Sequence, residues 1–594
     1  MPGSQKPNKQ AVIVVHGMGE QRPMETLRAF VTAVWKTDAD GRIPEQMDEA
    51  RRTWVVPDRR NGILDLSRIT TRANHEGVRT DFFELYWADV FAGNTLQQLS
   101  GWLKGLLLRW PVQVPRDVFW AWVLLWVLTV LAAAALSYVM INNPLKIFED
   151  VNWGVNESPA VWHWLVSALF AVSLMLFMQA RLAKALSRNA DAPFQRRSRL
   201  IPPAVLLVVF LGLVFFFPWE MFKNVQVFLL TGAALIAWLI KSVVVPYLGD
   251  VARYTLNEPW AIEARARIRA RGLGLLRELH GRTADGSASN GGGGYQRVIV
   301  VGHSLGSVVA YDLLRFYWAE AGPVGKNPAS KDVIAALAEV DGYLTECFGP
   351  LPDGKERKSF GFGELLNRQS AAANAMSESH DGWKITDFVT LGCPLTHAEF
   401  LIANDAPQFR KMVDELVLPI SIPVQDTSRG SFLYDPHYGK NGGNPAHKRA
   451  DHGAVFAGTR WTNIYDPERN IVFGDFISGP LTENFGRGVR DVAVFIREKR
   501  RLLGWFASDF FTHTQYWNAK AIGQAALADV PPQYPPAPDD SRMDHILALK
   551  DALRLGSAAP IEPKSRSAPA QVRLAPAGKP GPKSRRADTT SRPS

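Results

Sequence analysis

Ser304 lies in the segment of this chain whose residues are best suited to covalent chemistry. Residues 297–301 are a short apolar run rich in β-branched side chains, which is typical of a buried parallel strand. The pentapeptide G-H-S-L-G at 302–306 follows directly, and residues 307–314 are compatible with a helix. A serine in G-x-S-x-G between a strand and a helix occupies a nucleophile elbow, which presents its hydroxyl at the top of the sheet. The sequence therefore predicts Ser304 as a nucleophile.

The glycines at both ends of the pentapeptide fit a sharp turn. A Cβ at Gly302 or Gly306 would collide with the neighbouring strand or helix, and the serine between them is forced into a strained backbone conformation. A bare G-x-S-x-G is expected on the order of 0.2 times by chance in a chain of this length. The strand and the helix on either side therefore carry the prediction, and an ordinary strand-to-helix turn is the alternative.

A second apolar run near the start of the chain is a candidate for stabilising negative charge. Residues 11–15 read as a buried strand, and residues 16–20, H-G-M-G-E, form the loop after it. A loop loosened by Gly17 can turn a backbone N–H toward a developing oxyanion. We predict the amides of Met18 and Leu305 as the two donors, with a simple glycine turn as the alternative.

The order of residues along the chain limits the candidates for the general base and for the acid that orients it. In hydrolases with this elbow, an acidic residue and then a histidine follow the serine along the chain. Residues 460–465 read as a late strand, and Asp466 and Asp475 come after it, so the acid stays open between these two. Of the later histidines, His545 falls in a short helix of the tail, and His513 ends an aromatic-rich stretch. We predict His513 as the base that takes the serine proton and returns it to the leaving group.

Two other groups of residues have side chains that could take part in chemistry. Cys393 has no evident partner base, and we predict a buried small residue there. His437, His447, Asp451 and His452 share a Gly/Asn/Pro-rich stretch, but their spacing differs from the i, i+4 pair of a helical metal site. A polar loop is the prediction, and neither a metal ion nor a cofactor is expected.

The composition predicts a large protein with a membrane segment. The chain has 594 residues, 47% of them hydrophobic, and two cysteines, which excludes a disulfide framework and indicates a reducing compartment. Four nearly uncharged runs each approach the ~20 residues that cross a bilayer. These runs are 118–141, 161–180, 201–219 and 225–248. We predict transmembrane helices, with buried hairpins of a soluble core as the alternative.

The charges of the loops between the apolar runs predict how the protein is oriented in the membrane. Residues 181–199 carry six basic side chains against one aspartate, whereas residues 142–160 carry one lysine against three acidic side chains. The positive-inside rule then places both flanks and the middle loop in the cytoplasm. The formal net charge of +10 is not gathered into one amphipathic stripe, so lipid is the expected partner and nucleic acid is not.

The chain is predicted to form an α/β domain interrupted by this insertion. The predicted divisions are 1–100 (first part of the domain), 101–250 (membrane insertion), 251–530 (catalytic part) and 531–594 (disordered, basic, Pro-rich tail with a short helix near 543–555). Residues 322–383 are expected to form an irregular insertion where lids of such domains often lie.

Three segments carry a resemblance to a known family. They are V-H-G-M-G-E-Q at 15–21, G-H-S-L-G-S-V-V-A-Y-D at 302–312 and L-G-C-P-L at 391–395. Together they resemble the α/β-hydrolase superfamily, and within it the lipase-like branch that includes DDHD-domain intracellular phospholipases and GPI-inositol deacylases. The resemblance covers about half the chain, outside the insertion and the tail. It implies a mostly parallel sheet and a Ser-His-Asp triad.

The resemblance also bears on which aspartate is the acid of the triad. Residues 475–479, D-F-I-S-G, are the nearest match to the aspartate segment of such relatives, which favours Asp475 and keeps Asp466 as the alternative. His513, shortly before an aromatic pair, is similar to the histidine of lipase-like patterns. The implied function is a membrane-anchored serine hydrolase that cleaves acyl esters, with lipid or phospholipid as the expected substrate. Its catalytic domain is expected in the cytoplasm, as at a bacterial inner membrane. The alternatives are a non-catalytic membrane scaffold, or a thioesterase or peptidase acting on a soluble substrate.

Overall fold

A large, mostly parallel β-sheet organises the folded part of the protein. The computed structural model describes residues 8–91, 259–283, 295–423, 432–435, 448–467, 474–496, 512–519 and 543–555, with short gaps inside some of these ranges, and a few isolated positions between 111 and 254. Its strands are β1 (Lys9–Val15), β2 (Thr53–Pro57), β3 (Ser67–Ala73), β4 (Arg79–Leu85), β5 (Tyr295–His303), β6 (Ile385–Leu391), β7 (Leu433–Tyr434), β8 (Arg449–Ala450), β9 (Arg460–Tyr465), β10 (Val489–Phe495) and β11 (Met543–Asp544).

Nine of these strands form one sheet, in the order β11-β10-β9-β6-β5-β1-β4-β3-β2, while β7 and β8 pair separately. Within the large sheet, β3 runs antiparallel to both of its neighbours, and the other pairings are parallel. The predicted α/β class with a mostly parallel sheet is thereby confirmed.

Helices cover both faces of the sheet. They are α1 (Glu25–Val31), α2 (Pro259–His280), α3 (Leu305–Ala321), α4 (Lys331–Phe348), α5 (Phe362–Glu378), α6 (Ala398–Leu401), α7 (Ala406–Asp414), α8 (Thr482–Phe485) and α9 (His545–Leu553). One apolar cluster contains buried side chains of α2 to α5, and a second contains those of α1 and α9. The architecture is therefore three-layered, with the sheet in the middle.

The uninterrupted apolar sequence of β5 follows from this layering. Val298 and Val300 belong to one apolar cluster, and Ile299 and Val301 belong to the other. Successive side chains of a strand point to opposite faces, so a strand covered on both sides needs an apolar residue at every position.

The first and second parts of the folded chain meet at the centre of the sheet. β1 lies beside β5, with Val12 opposite Ile299 and Val14 opposite Val301. β1 to β4 precede residues 92–258 in the chain, and β5 to β11 follow them. Because β1 and β5 are parallel, the loop after β1 and the turn after β5 lie at the same edge of the sheet.

Residues 322–383 were expected to be irregular, and that expectation is wrong. They contain α4 and α5, and α4 buries Val333, Leu337, Val340 and Leu344 at helical spacing. The segment is bonded to the turn that precedes β9, where Gln369 Nε2 on α5 donates to the Phe456 carbonyl at 2.7 Å. The apolar residues of α4 have helical spacing, but the polar and glycine content of the segment outweighed this pattern in the prediction.

The folded domain extends further than predicted at its C-terminal end. Residues 543–555, predicted as a short helix inside a disordered tail, form β11 and α9, and α9 buries Ile546, Leu549 and Leu553. The Arg297 guanidinium donates to the carbonyls of Leu553 and Arg554, each at 3.0 Å, and so holds the end of α9 to the sheet. The Pro-rich surroundings led us to assign this helix to the tail. The remaining predicted tail, 531–542 and 556–594, lies outside the described residues.

Within the described part of the chain, no helix combines the length and apolar content needed to cross a membrane. The predicted spans 118–141, 161–180, 201–219 and 225–248 fall outside the described residues, apart from isolated positions in the first of them.

Candidate active site

Ser304 occupies the turn between β5 and α3. Its backbone has φ 52° and ψ −131°, which places a non-glycine residue at positive φ. Such strain persists only where the surroundings enforce it. Here the Ser304 amide donates to the Leu391 carbonyl at 2.9 Å, which ties the turn to the end of β6.

The two glycines of the turn are fixed by close backbone approach. A Cβ on Gly302 would lie 2.5 Å from the Ser307 Cα, and one on Gly306 would lie 2.3 Å from the carbonyl oxygens of Val15 and His16. These distances are too short for any side chain. The close packing of α3 on the end of β1 therefore requires glycine at 306.

The structure brings Ser304, His513 and Asp475 together. Ser304 Oγ lies 2.8 Å from His513 Nε2, and His513 Nδ1 lies 3.0 Å from each carboxylate oxygen of Asp475. The two distances fall within hydrogen-bonding range. Ser304 and His513 are only 1% and 3% exposed, so the hydrogen-bonded chain is shielded from water.

Asp475 is held as an ionised acceptor. Its Oδ1 accepts from the amides of Ile477 at 3.0 Å and Ser478 at 3.3 Å, and its Oδ2 accepts from the Tyr516 hydroxyl at 2.8 Å. Burial alone would raise the pKa of Asp475, but attraction to His513 and these hydrogen bonds hold that pKa at about 2. The carboxylate can therefore orient the imidazole and stabilise its protonated form.

Asp466, the alternative acid, has a different partner. Its Oδ2 accepts from Thr512 Oγ1 at 2.7 Å, and its amide donates to the Tyr516 hydroxyl at 3.0 Å. Asp466 thus supports the residue that precedes His513 in the chain. The geometry favours Asp475 as the histidine partner.

Two residues that sequence reasoning did not assign to the site pack around His513. Gly392 has φ 58°, and a Cβ there would lie 3.0 Å from His513 Nδ1 and 2.8 Å from the Tyr516 ring. His303 Nε2 donates to the His513 carbonyl at 2.8 Å, and burial, followed by repulsion from His513, lowers the pKa of His303 to about 3. A neutral His303 therefore fixes the backbone of His513. The position of His303 in the G-H-S-L-G motif was the sequence signal from which this role could have been predicted.

The predicted oxyanion loop lies against the nucleophile. A Cβ on Gly17 would lie 3.0 Å from Ser304 Cβ and 2.9 Å from His303 Nδ1. The Leu305 amide belongs to the first turn of α3, whose amides have no acceptor within the helix. Both predicted donor segments, Gly17–Met18 and Leu305, therefore border Ser304.

His16 anchors this loop, and sequence reasoning gave it no role of its own. Its Nδ1 donates to the Gly17 carbonyl at 2.7 Å, and its Nε2 accepts from the Trp87 amide at 3.0 Å. Burial lowers the pKa of His16 to about 4, which keeps the ring neutral. In a trans peptide the carbonyl and the following N–H point in opposite directions, so the Met18 N–H points away from His16.

Cys393 and the histidine-rich loop add no acid-base group to this arrangement. Cys393 is buried, and burial raises its pKa to about 12, which leaves the thiol protonated. His437 and His447 lie outside the described residues, while Asp451 caps its own turn by accepting from the Gly453 amide at 2.7 Å.

Glu84 links the start of α1 to the sheet and gives a pH-dependent prediction. Its carboxylate is fully buried and accepts from the Met24 amide at 2.6 Å. Burial raises the pKa of Glu84 from 4.5 to about 7. The folded chain then binds this proton more tightly than the unfolded chain, so stability falls as pH rises from about 4.5 to 7, by about 3 kcal/mol. Glu84→Gln should remove that loss, so the variant gains thermal stability relative to wild type between pH 5 and pH 8.

Melting temperatures of both proteins across this pH range test the prediction. Glu378→Gln, which makes the same substitution at an exposed position, is the matched control. A constant difference between Glu84→Gln and wild type would show that Glu84 does not titrate in this window.

No match to this chain was found among models of known protein families, among curated proteins or among solved structures.

Proposed function

We propose that the protein is a serine hydrolase of the α/β-hydrolase type that cleaves acyl esters. The observation that carries the proposal is the continuous hydrogen-bonded chain from Ser304 through His513 to Asp475, with the serine at a strained strand-to-helix turn. The nucleophile, the orienting acid and the base follow each other along the chain at 304, 475 and 513, which is the order that this type of hydrolase uses.

The proposed reaction begins with attack of Ser304 Oγ on the ester carbonyl carbon. His513 Nε2 accepts the hydroxyl proton, and Asp475 stabilises the resulting imidazolium through Nδ1. Collapse of the tetrahedral intermediate expels the alcohol, which receives the proton from Nε2. A water molecule, deprotonated by the same nitrogen, then hydrolyses the acyl-serine and restores the free enzyme.

The negative oxygen of the intermediate needs fixed donors. The amides of Met18 and Leu305 are the proposed pair, because the Gly17 segment and the first turn of α3 both border Ser304. Donors fixed before the reaction in a site shielded from water stabilise charge more strongly than water does. Neither a metal ion nor a cofactor has a role in this scheme.

The proposed substrate is a lipid or phospholipid that reaches the site from an adjacent bilayer. Support for this part comes from the four apolar runs between 118 and 248, which lead us to propose a multi-pass protein with a cytoplasmic catalytic domain. The resemblance of the G-H-S-L-G and H-G-M-G segments to lipase-like hydrolases supports the same substrate class.

Hydrolysis of phospholipid and of a short soluble ester by the full-length protein tests the substrate. The protein is reconstituted in phospholipid vesicles, and release of fatty acid is compared with release of p-nitrophenol from p-nitrophenyl butyrate and with cleavage of a soluble acyl thioester. We expect phospholipid to be cleaved with a kcat/KM at least about tenfold above that of either soluble substrate. Ser304→Ala should abolish each reaction. Equal rates on vesicles and soluble substrates would remove the lipid from the proposal while leaving the hydrolase.

A further inference from the structure

Three polar groups from the segment 466–478 converge on the hydroxyl of Tyr516. Its oxygen lies 2.8 Å from Asp475 Oδ2, 3.0 Å from the Asp466 amide nitrogen and 3.0 Å from Ser478 Oγ. The tyrosine is 1% exposed, and Ser478 is fully buried. The phenol therefore contacts Oδ2 of Asp475, whereas the backbone amides of residues 477 and 478 contact Oδ1.

The direction of each hydrogen bond follows from the number of protons. A phenol has one proton, and the ionised carboxylate of Asp475 can only accept. The hydroxyl therefore donates to Asp475 and accepts from the Asp466 amide and from the Ser478 hydroxyl. Burial and the neighbouring carboxylates raise the pKa of Tyr516 well above its usual value, so the phenol keeps its proton. Both donors polarise the phenol toward Asp475.

The ring of Tyr516 is fixed as well as its hydroxyl. Its edge packs against Gly392, where a Cβ would approach Tyr516 to 2.8 Å, and its centroid lies 6.2 Å from that of His303. Gly392 and His303 also contact His513. One packed unit therefore sets the positions of the tyrosine and of the histidine relative to Asp475.

We propose that Tyr516 is a positioning residue for Asp475, which controls through that carboxylate how strongly His513 is held as an imidazolium. The inference rests on the proposed hydrolase function and adds a group outside the Ser-His-Asp chain. The negative charge of Asp475 is stabilised both by His513 and by three other donors, which are two backbone amides and the Tyr516 hydroxyl. Without the phenol donor, the carboxylate interacts more strongly with the His513 imidazolium, and its position is less well fixed.

Two effects of Tyr516→Phe follow, and they are separable. The rate of serine modification should fall about tenfold or more, as is typical when a group that orients a functional ligand is removed. The acid limb of the pH–rate profile should move to higher pH, because an imidazolium beside a less stabilised carboxylate gives up its proton less readily. A tyrosine that only supports the fold would not move this limb.

The experiment measures the second-order rate of reaction with a fluorophosphonate from pH 5 to pH 9, using the detergent-solubilised full-length protein. Ser478→Ala, which removes one donor to the phenol, should give a smaller change in the same direction. Tyr311→Phe is the matched control, because Tyr311 is also 1% exposed and donates its hydroxyl to a backbone carbonyl, that of Pro419, at 2.7 Å. It should leave the acid limb where it is in wild type.

Each outcome decides between the readings. A slower Tyr516→Phe with a shifted acid limb, and an unshifted Tyr311→Phe, supports the inference. An acid limb of Tyr516→Phe that coincides with that of wild type, whatever the rate, overturns it. Should Tyr516→Phe fail to fold, the acid limb of Ser478→Ala decides in the same way. A folded wild-type protein that does not react at any pH overturns the proposed function, which is a result distinct from an unshifted variant.

Discussion

Ser304→Ala and His513→Ala are each expected to lower kcat for ester hydrolysis by about 10⁶-fold. The alanine at 304 has no oxygen to attack the carbonyl. The alanine at 513 leaves the serine hydroxyl, otherwise 2.8 Å from Nε2, without a base to remove its proton. The residual rate should come from substrate binding and the oxyanion donors alone.

The two losses should not add, because nucleophile and base act in one step. We expect the double variant Ser304→Ala/His513→Ala to be about as slow as either single variant. Ser377→Ala, on the surface-facing part of α5, is the matched control and should retain wild-type activity. Single variants that keep more than about 1% of the activity, with melting temperatures near that of wild type, would contradict the assigned roles.

Asp475→Asn should lower kcat by about 10⁴-fold, whereas Asp466→Asn should lower it less than about tenfold. The amide at 475 no longer offers His513 Nδ1 a charged acceptor and favours the wrong tautomer of the ring. Asp466 accepts from Thr512, and its backbone amide, which contacts Tyr516, survives the substitution. The two aspartates are therefore expected to differ by about three orders of magnitude.

Steady-state kinetics on the two asparagine variants separates the candidate acids. KM should change little in either variant, since neither carboxylate is proposed to contact substrate. A larger loss of kcat in Asp466→Asn than in Asp475→Asn would contradict the assignment of Asp475 as the acid. Near-equal small losses would remove the orienting carboxylate from the mechanism.

The strands that carry the site could be predicted because local sequence determines them. β1 and β5 are short runs of β-branched residues, and a strand covered on both faces requires apolar residues at each position. The turn after β5 was predictable for a similar reason, because the space at Gly302 and Gly306 is set by residues of the turn and of the adjacent strand.

The partners of the histidine could not be predicted in the same way. Asp466 and Asp475 both follow β9, and the sequence does not specify which carboxylate the intervening chain turns toward His513. The roles of Tyr516 and Gly392 likewise depend on contacts between residues far apart in the chain. Such contacts are a property of the assembled sheet edge and leave little local signal.

Composition misled where a short apolar pattern lay in polar surroundings. Residues 543–555 sit in a Pro-rich stretch, yet Ile546, Leu549 and Leu553 form one buried face of α9. The apolar spacing predicted this helix, while the surrounding proline content led us to place it in a disordered tail instead of the folded domain. The periodicity of apolar residues was the better guide here, as it was for α4.

Mass spectrometry of the full-length protein after reaction with a fluorophosphonate tests the central claim most directly. We predict one adduct per chain, located on Ser304 by peptide mapping, and no adduct on Ser304→Ala. Absence of an adduct on folded wild-type protein, or an adduct on another serine that persists in Ser304→Ala, would contradict the assignment of Ser304 as the nucleophile.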